Sequence, residues 1–307
     1  VRQRETKINI GVEMNAFGSE SVFSALKNSV VFILSENGSE SSPIGTAFVV
    51  RVSDNNNPNR YSPFIVTNKH VLQNIDRDPN GTFNGSQFYG KVRVRLNAPS
   101  GDKYLVSELK VADNVFVHSN PAVDLAVVPA ALPQSNVVST CASVVFGNLA
   151  ANCPSFVEGR DTMSVSLLQN YSGIERNHAV CRFGKLALVT DESWCDSRRG
   201  CGPEQAWLID LGTYEGASGS PVYLVPIQWD IDGNGNVIRH SGALALVGVV
   251  KAVFNSPSDP FLQLRALTPV EPVKNLQDIF EQIFTTMRAD GWDPMIRRSG
   301  SSLIEPS

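Results

Sequence analysis

Apolar residues recur along this chain in short runs, some continuous and some alternating with polar ones, broken every few positions by Gly, Pro, Asn or Asp. That punctuation belongs to strands joined by turns rather than to helices. In the first half, SVVFIL, GTAFVVRV, SPFIVT, KVRVRL, LKVADNVFVH and DLAVVPA read as six strands. In the second half, MSVSLL, AVCRFGKLALV, AWLIDLG, SPVYLVPI, ALVGVVKAVF and FLQLRALTP read as another set, and the Pro-bearing stretch CASVVFGNLAANCPSF joins the two. Only the ends depart from this pattern. SESVFSALKNS suits a short leading helix. In VKNLQDIFEQIFTTMR, Leu276, Ile279, Phe280, Ile283, Phe284 and Met287 recur at helical spacing after Pro272, a good residue at a helix start. This stripe predicts a terminal helix docked on the second set of strands, with a helix offered to a partner's groove as the sharper alternative. The expected class is all-β with a C-terminal α-helix.

Composition changes this picture little. A chain of 307 residues with 42% hydrophobic and 18% charged residues is globular and holds either one large β domain or two subdomains. A net charge of −4 gives no reason to expect a nucleic-acid partner, and no stretch approaches the roughly 18 apolar residues of a membrane span. Without a leading methionine or a secretory hydrophobic region, the chain reads as a processed or trimmed form.

Three segments carry candidate chemistry. GASGSP, Gly216 to Pro221, sets Ser218 between glycines in a tight turn. Such a turn exposes a hydroxyl and aims backbone N–H groups at one point beside it, where an oxyanion would form in acyl transfer. A serine hydroxyl is a weak nucleophile at neutral pH and needs a general base, which in turn needs a group to fix its tautomer. Of the four histidines, His118, His178 and His240 lie in polar or turn-rich contexts, whereas His70 ends the apolar segment YSPFIVTNKHVL. Asp124 opens the apolar run of NPAVDLAVVPA, and a carboxylate beside a buried strand must be paired or hydrogen-bonded. Taken singly, each has an ordinary reading: a surface turn, a structural histidine at a strand end, a capping aspartate.

Taken in chain order, His70, Asp124 and Ser218 resemble the chymotrypsin/trypsin-like serine protease family, including its bacterial HtrA-like, glutamyl-endopeptidase-like and viral branches. That order differs from those of subtilisins and α/β-hydrolases. A fourth match is GTAFVV, Gly45 to Val50, ahead of the histidine strand. The resemblance implies two six-stranded antiparallel β-barrels with the active site in the cleft between them. It divides the chain into a tail over 1–20, a first barrel over 21–145 with His70 and Asp124, and a second over 146–271 with Ser218. The helix then covers 272–290 and a tail 291–307. It also implies oxyanion-hole N–H groups from Gly216 and Ser218, no cofactor and no metal, and a peptide or protein as substrate.

Departures from the family sharpen the expectation. Ala217 stands where zymogen-activated members carry an aspartate, and no Ile-Val-Gly-Gly precedes His70, so activation by a new amino terminus is not expected. The catalytic turn is then pre-formed or controlled by a regulatory protein partner. Asn68 and Lys69 replace the small pair common before the histidine. Lys251, in GVVKAVF, stands where many relatives carry a serine that bonds the aspartate. A buried lysine there needs a carboxylate partner; the reading adopted is a lysine that snorkels out of the cleft. Gly212, with Thr213 beside it, would floor the primary pocket without a charge, and Val253 and Phe254 would line its wall. That set disfavours cleavage after Lys or Arg and favours a small or medium apolar residue.

DIDGNGNV is the remaining sharp motif. Asp230, Asp232, Asn234 and Gly235 match the first half of a calcium-binding EF-hand loop, but the twelfth position is Ser241 and no helix brackets it. A hairpin turn is the preferred reading, with calcium left open. Five cysteines, Cys141, Cys153, Cys181, Cys195 and Cys201, show no metal spacing. Their odd number points toward a reducing, cytoplasmic compartment, with secretion as the alternative. Two alternatives to a constitutive protease stay open: a pseudoprotease that binds a peptide or partner in its cleft, and an effector protease gated by a partner.

Overall fold

The computed structural model describes residues 22–34, 43–77, 83–98, 102–132, 140–141, 158–168, 173–192, 206–212, 216–225, 227–231, 237–241, 245–251 and 267–294. A short helix α1 (Val22–Ser29) leads directly into β1 (Val30–Leu34). β1 is apolar and buried at every position because its two faces feed different cores. Val31 and Ile33 enter a cluster enclosed by the first sheet alone, while Val30, Phe32 and Leu34 enter one shared with the second half of the chain. A strand covered on both faces must be a continuous apolar run, which is what VVFIL is.

β1 pairs with β2 (Pro43–Asp54), and β2 with β3 (Asn57–Thr67), both antiparallel. Around them lie β6 (Lys91–Asn97), β7 (Tyr104–Lys110), β8 (Phe116–Val117) and β9 (Ala126–Pro129), in the order β7-β6-β1-β2-β3-β9-β8, with β10 (Thr140–Cys141) alongside β2. Among the described residues this eight-stranded sheet is a half-barrel that does not close between β7 and β8. LKVADNVFVH, expected as one strand, is broken where the Asn114 N–H turns back onto the Val111 carbonyl, 2.9 Å away. A ribbon of β4 (Gln73–Arg77) and β5 (Phe83–Phe88) is an addition that their mixed polar sequences do not advertise.

The second half closes. β11 (Asp161–Leu167), β12 (Ala179–Leu188), β13 (Trp207–Asp210), β14 (Pro221–Leu224), β17 (Ala245–Val250) and β18 (Leu267–Pro272) form a six-stranded barrel in the order β11-β12-β13-β18-β17-β14. Ile209, Leu211, Val222, Val247, Val250 and Val270 pack together in one cluster of it. Along β11 the faces alternate: Met163, Val165 and Leu167 join the shared core, while the Ser164 and Ser166 hydroxyls bond each other at 3.2 Å. β15 (Ile227–Ile231) and β16 (Val237–Ser241) make a separate ribbon, in which Asp230 pairs with Ile238. Asp232, Asn234 and Gly235 lie outside the described residues.

The terminal helix α2 (Val273–Ala289) follows β18 without a break. All six residues of its apolar stripe are buried in the core between the two sheets, and Phe280 meets Phe64 of β3 edge to face at 5.7 Å. The helix therefore packs on both halves, not on the second alone. Beyond it, part of the segment read as a tail is docked. The Asp293 N–H donates to the buried Asp54 carboxylate at 3.1 Å, and Arg60 lies over the Trp292 ring at 3.7 Å. Among the described residues no helix is long and apolar enough to cross a membrane.

Candidate active site

β3 ends at Thr67, and the chain enters a 3-10 turn, Lys69–Leu72, through the extended residue Asn68. Val71 and Leu72 are buried and anchor this turn, while the His70 side chain stays 38% exposed. Asn68 and Lys69, the unusual pair before the histidine, both work inward. The Asn68 amide donates to the Asp124 carbonyl at 2.8 Å, and the Lys69 ammonium to the carbonyls of Pro121 at 2.7 Å and Val123 at 3.1 Å. Together they knit the histidine turn to the loop that carries Asp124.

Asp124 uses both carboxylate oxygens on the same residue. Oδ1 accepts the His70 backbone N–H at 3.0 Å, and Oδ2 lies 2.6 Å from His70 Nδ1. An ionised carboxylate only accepts, so in this contact Nδ1 is the donor, and a neutral His70 so held presents the Nε2 lone pair. Two bonds from one carboxylate to one residue fix both the position and the tilt of the ring.

Behind Asp124 lies a buried charge pair. Its backbone N–H donates to Glu271 Oε1 at 2.8 Å, and Glu271 in β18 is fully buried. Lys251 Nζ, just past β17, sits 3.0 Å from the same oxygen, while the Asn275 amide of α2 donates to Oε2 at 3.1 Å. Lys251 is 8% exposed and does not snorkel, because its ammonium finds a carboxylate inside the protein. Burial pushes the Glu271 carboxyl above its ordinary range, against the opposing pull of Lys251 and of the bonds from Asp124, Lys251 and Asn275.

The serine turn is held from the opposite side. Gly216 and Gly219 adopt φ of 91° and 87°, the left-handed region that favours glycine. At Gly219 a Cβ would also run into the Thr46 carbonyl oxygen and Thr67 Oγ1, so the turn is pressed onto β2 and the end of β3. Thr46 grips it twice: its N–H donates to the Ser218 carbonyl at 3.0 Å and its hydroxyl to the Gly216 carbonyl at 2.6 Å. Thr67 Oγ1 donates to the Thr46 carbonyl at 2.7 Å, and the Gly219 N–H to the Val250 carbonyl at 3.0 Å. Ala217 is buried with the barrel cluster. The N–H groups of Gly216 and Ser218 take no backbone acceptor among the described residues.

The structure thus joins His70 directly to Asp124 and hangs the Ser218 turn from the strands that lead to His70. Gly212 lies just past β13 and is half-buried, while Thr213, Val253 and Phe254 lie outside the described residues. His118 is elsewhere, its Nε2 3.3 Å from Asp278 of α2, and His178 is exposed. Cys181 has a free thiol whose pKa burial raises; the side chains of the other cysteines are outside the described residues. Sequence reasoning missed Thr46, Glu271 and Asn275. Thr46 stands inside the quoted GTAFVV, whereas nothing local in LTPVEP marks Glu271 as the partner of a lysine many residues earlier.

Fold and site together define a two-sheet β protein with an imidazole–carboxylate pair and a glycine-flanked serine. No family model and no curated protein matches the chain. Among solved structures it is similar to the Rv3671c protease from M. tuberculosis in its active form, at 18% identity over 92% of this chain and 94% of that one, with a TM-score of 0.46. It is also similar to the inactive form of Rv3671c protease (21% identity, 85% and 91% coverage, TM-score 0.45). For Deg5 the values are 19% identity, 83% and 88% coverage and a TM-score of 0.45. At these values the functional reading rests on the site's own geometry.

Proposed function

We propose that this chain is a serine endopeptidase. The observation that carries the reading is the double grip of Asp124 on His70, which leaves Nε2 as the free base. In the proposed reaction His70 Nε2 takes the Ser218 hydroxyl proton as Oγ attacks a peptide carbonyl. Asp124 holds the tautomer and stabilises the imidazolium. The oxyanion is held by the N–H groups of Gly216 and Ser218. The imidazolium then protonates the leaving amine, and water, deprotonated in turn by His70, releases the acyl group. Gly212, Thr213, Val253 and Phe254 would shape the pocket for the residue preceding the scissile bond.

The two bonds from Thr46 support a turn that is pre-formed, with the buried Ala217 taking no part in ionic activation. The test is labelling with a fluorophosphonate serine probe. The native chain is expected to label, Ser218→Ala and His70→Ala to lose labelling, and Asp124→Asn to slow it by roughly 10³–10⁴-fold. A folded native chain that does not label sinks this reading in favour of a cleft that binds without cleaving, or of one gated by a partner.

A further inference from the structure

The Glu271 carboxylate has no part in the proposed bond-breaking steps, yet it is fully buried and accepts the backbone N–H of Asp124 at 2.8 Å. A buried carboxylate is costly and persists only with partners. Here Lys251 balances its charge at 3.0 Å and Asn275 occupies its second oxygen at 3.1 Å. The arrangement is tied to three elements. β17 and β18 run antiparallel with Val249 opposite Glu271, the Lys251 N–H donates to the Pro269 carbonyl at 2.9 Å, and Asn275 lies in the first turn of α2. Glu271 is therefore held by the barrel and its helix, while the residue it touches belongs to the first sheet's loop.

We infer that Glu271 is a positioning residue for the His70–Asp124 pair: by accepting the Asp124 N–H it sets the backbone from which the carboxylate reaches His70, and Lys251 and Asn275 hold it there. The aspartate side chain leaves its backbone two bonds from that N–H, so a shift of the amide is carried to both carboxylate oxygens. Other anchors of this loop, from Asn68 and Lys69, act on carbonyls. Glu271 is the acceptor for its N–H. The inference rests on the protease reading for its effect on rate, but the hydrogen bond itself does not.

The test separates the acceptor from the charge. Lys251→Met with Glu271→Gln keeps an acceptor and removes both charges; Lys251→Met with Glu271→Leu keeps the bulk and removes the acceptor. Folding of both is checked by thermal melting, and fluorophosphonate labelling rates are compared with the native chain. The Gln pair is expected to label within about 3-fold of native and the Leu pair at least about 10-fold more slowly, the loss of one hydrogen bond to a positioned group. Equal rates in the two pairs, whether native-like or both lost, would overturn the inference. Hydrogen exchange of the Asp124 amide gives a readout free of activity. It is expected to be protected in the native chain and the Gln pair and to exchange faster in the Leu pair; the same protection in all three overturns the inference even if the native chain never labels. Failure of the native chain to label, with exchange as expected, would instead count against the protease reading alone.

Discussion

Two left-handed glycines, one in the serine turn and one just past α2, differ in what they tolerate. Gly219 combines φ of 87° with a site where any Cβ collides with the Thr46 carbonyl oxygen and Thr67 Oγ1, whereas Gly291, at φ of 78°, has open space around it. Gly219→Ala is expected to cost about 3 kcal/mol and to abolish labelling, while Gly291→Ala costs about 1 kcal/mol and leaves labelling intact. Chemical denaturation of the two variants checks the contrast. At this scale the sequence was informative where residue type and local context agree. A serine between glycines, a histidine at the end of an apolar strand and an aspartate before another were each legible. Lys251 was misread because its exposure depends on Glu271, which β-sheet pairing brings to it and no local pattern announces. Asn68 and Lys69 were legible as unusual but not as inward donors.

At the scale of elements, α2 is a structural helix whose apolar face is spent inside the molecule. Phe280 and Phe284 are fully buried, their rings 5.8 Å apart, and Phe280 also meets Phe64 of the first sheet. Phe280→Ala is expected to destabilise by about 3–5 kcal/mol, measured by denaturant unfolding, whereas Glu281→Ala on the exposed face changes stability by less than about 0.5 kcal/mol. A near-neutral Phe280→Ala would return the stripe to the reading of a partner-binding face. Most strands were legible because their apolar runs are strong. Strands buried on both faces, such as β1, read as continuous runs and those with one wet face as alternations. The β4–β5 ribbon was not, since QNIDR and FNGSQF have no sustained period of either kind. LKVADNVFVH reads as one strand because apolar residues flank a turn that only the backbone reveals.

For the whole molecule, the all-β class and the terminal helix were legible from the apolar pattern, whereas the closed barrel was expected only through the family resemblance. The edge left open between β7 and β8 among the described residues was not legible, because closure depends on pairing partners rather than on any strand's own sequence. The buried pair gives the molecule a signature in its response to pH. Burial raises the Glu271 carboxyl above its ordinary range near 4.5, so the folded chain binds this proton more tightly than the unfolded one. Its contribution to stability is fully present below that range and is lost as pH rises through the raised value. Lys251→Met with Glu271→Gln removes the effect, so the melting-temperature difference, native minus variant, is expected to fall as pH rises from about 4 to about 8. Lys251→Met alone strands the carboxylate and should cost about 3–5 kcal/mol near neutral pH.

Thr46, from the first sheet, holds the turn of Ser218 in the barrel; Glu271, from the barrel, holds the amide of Asp124 in the first sheet. Each half thus grips a candidate group that the other carries, and a shift of either against its neighbour would loosen both grips. Alignment of the candidate nucleophile with its candidate base is a property of the seam, so the labelling proposed at Ser218 would read out how faithfully the two sheets are seated together.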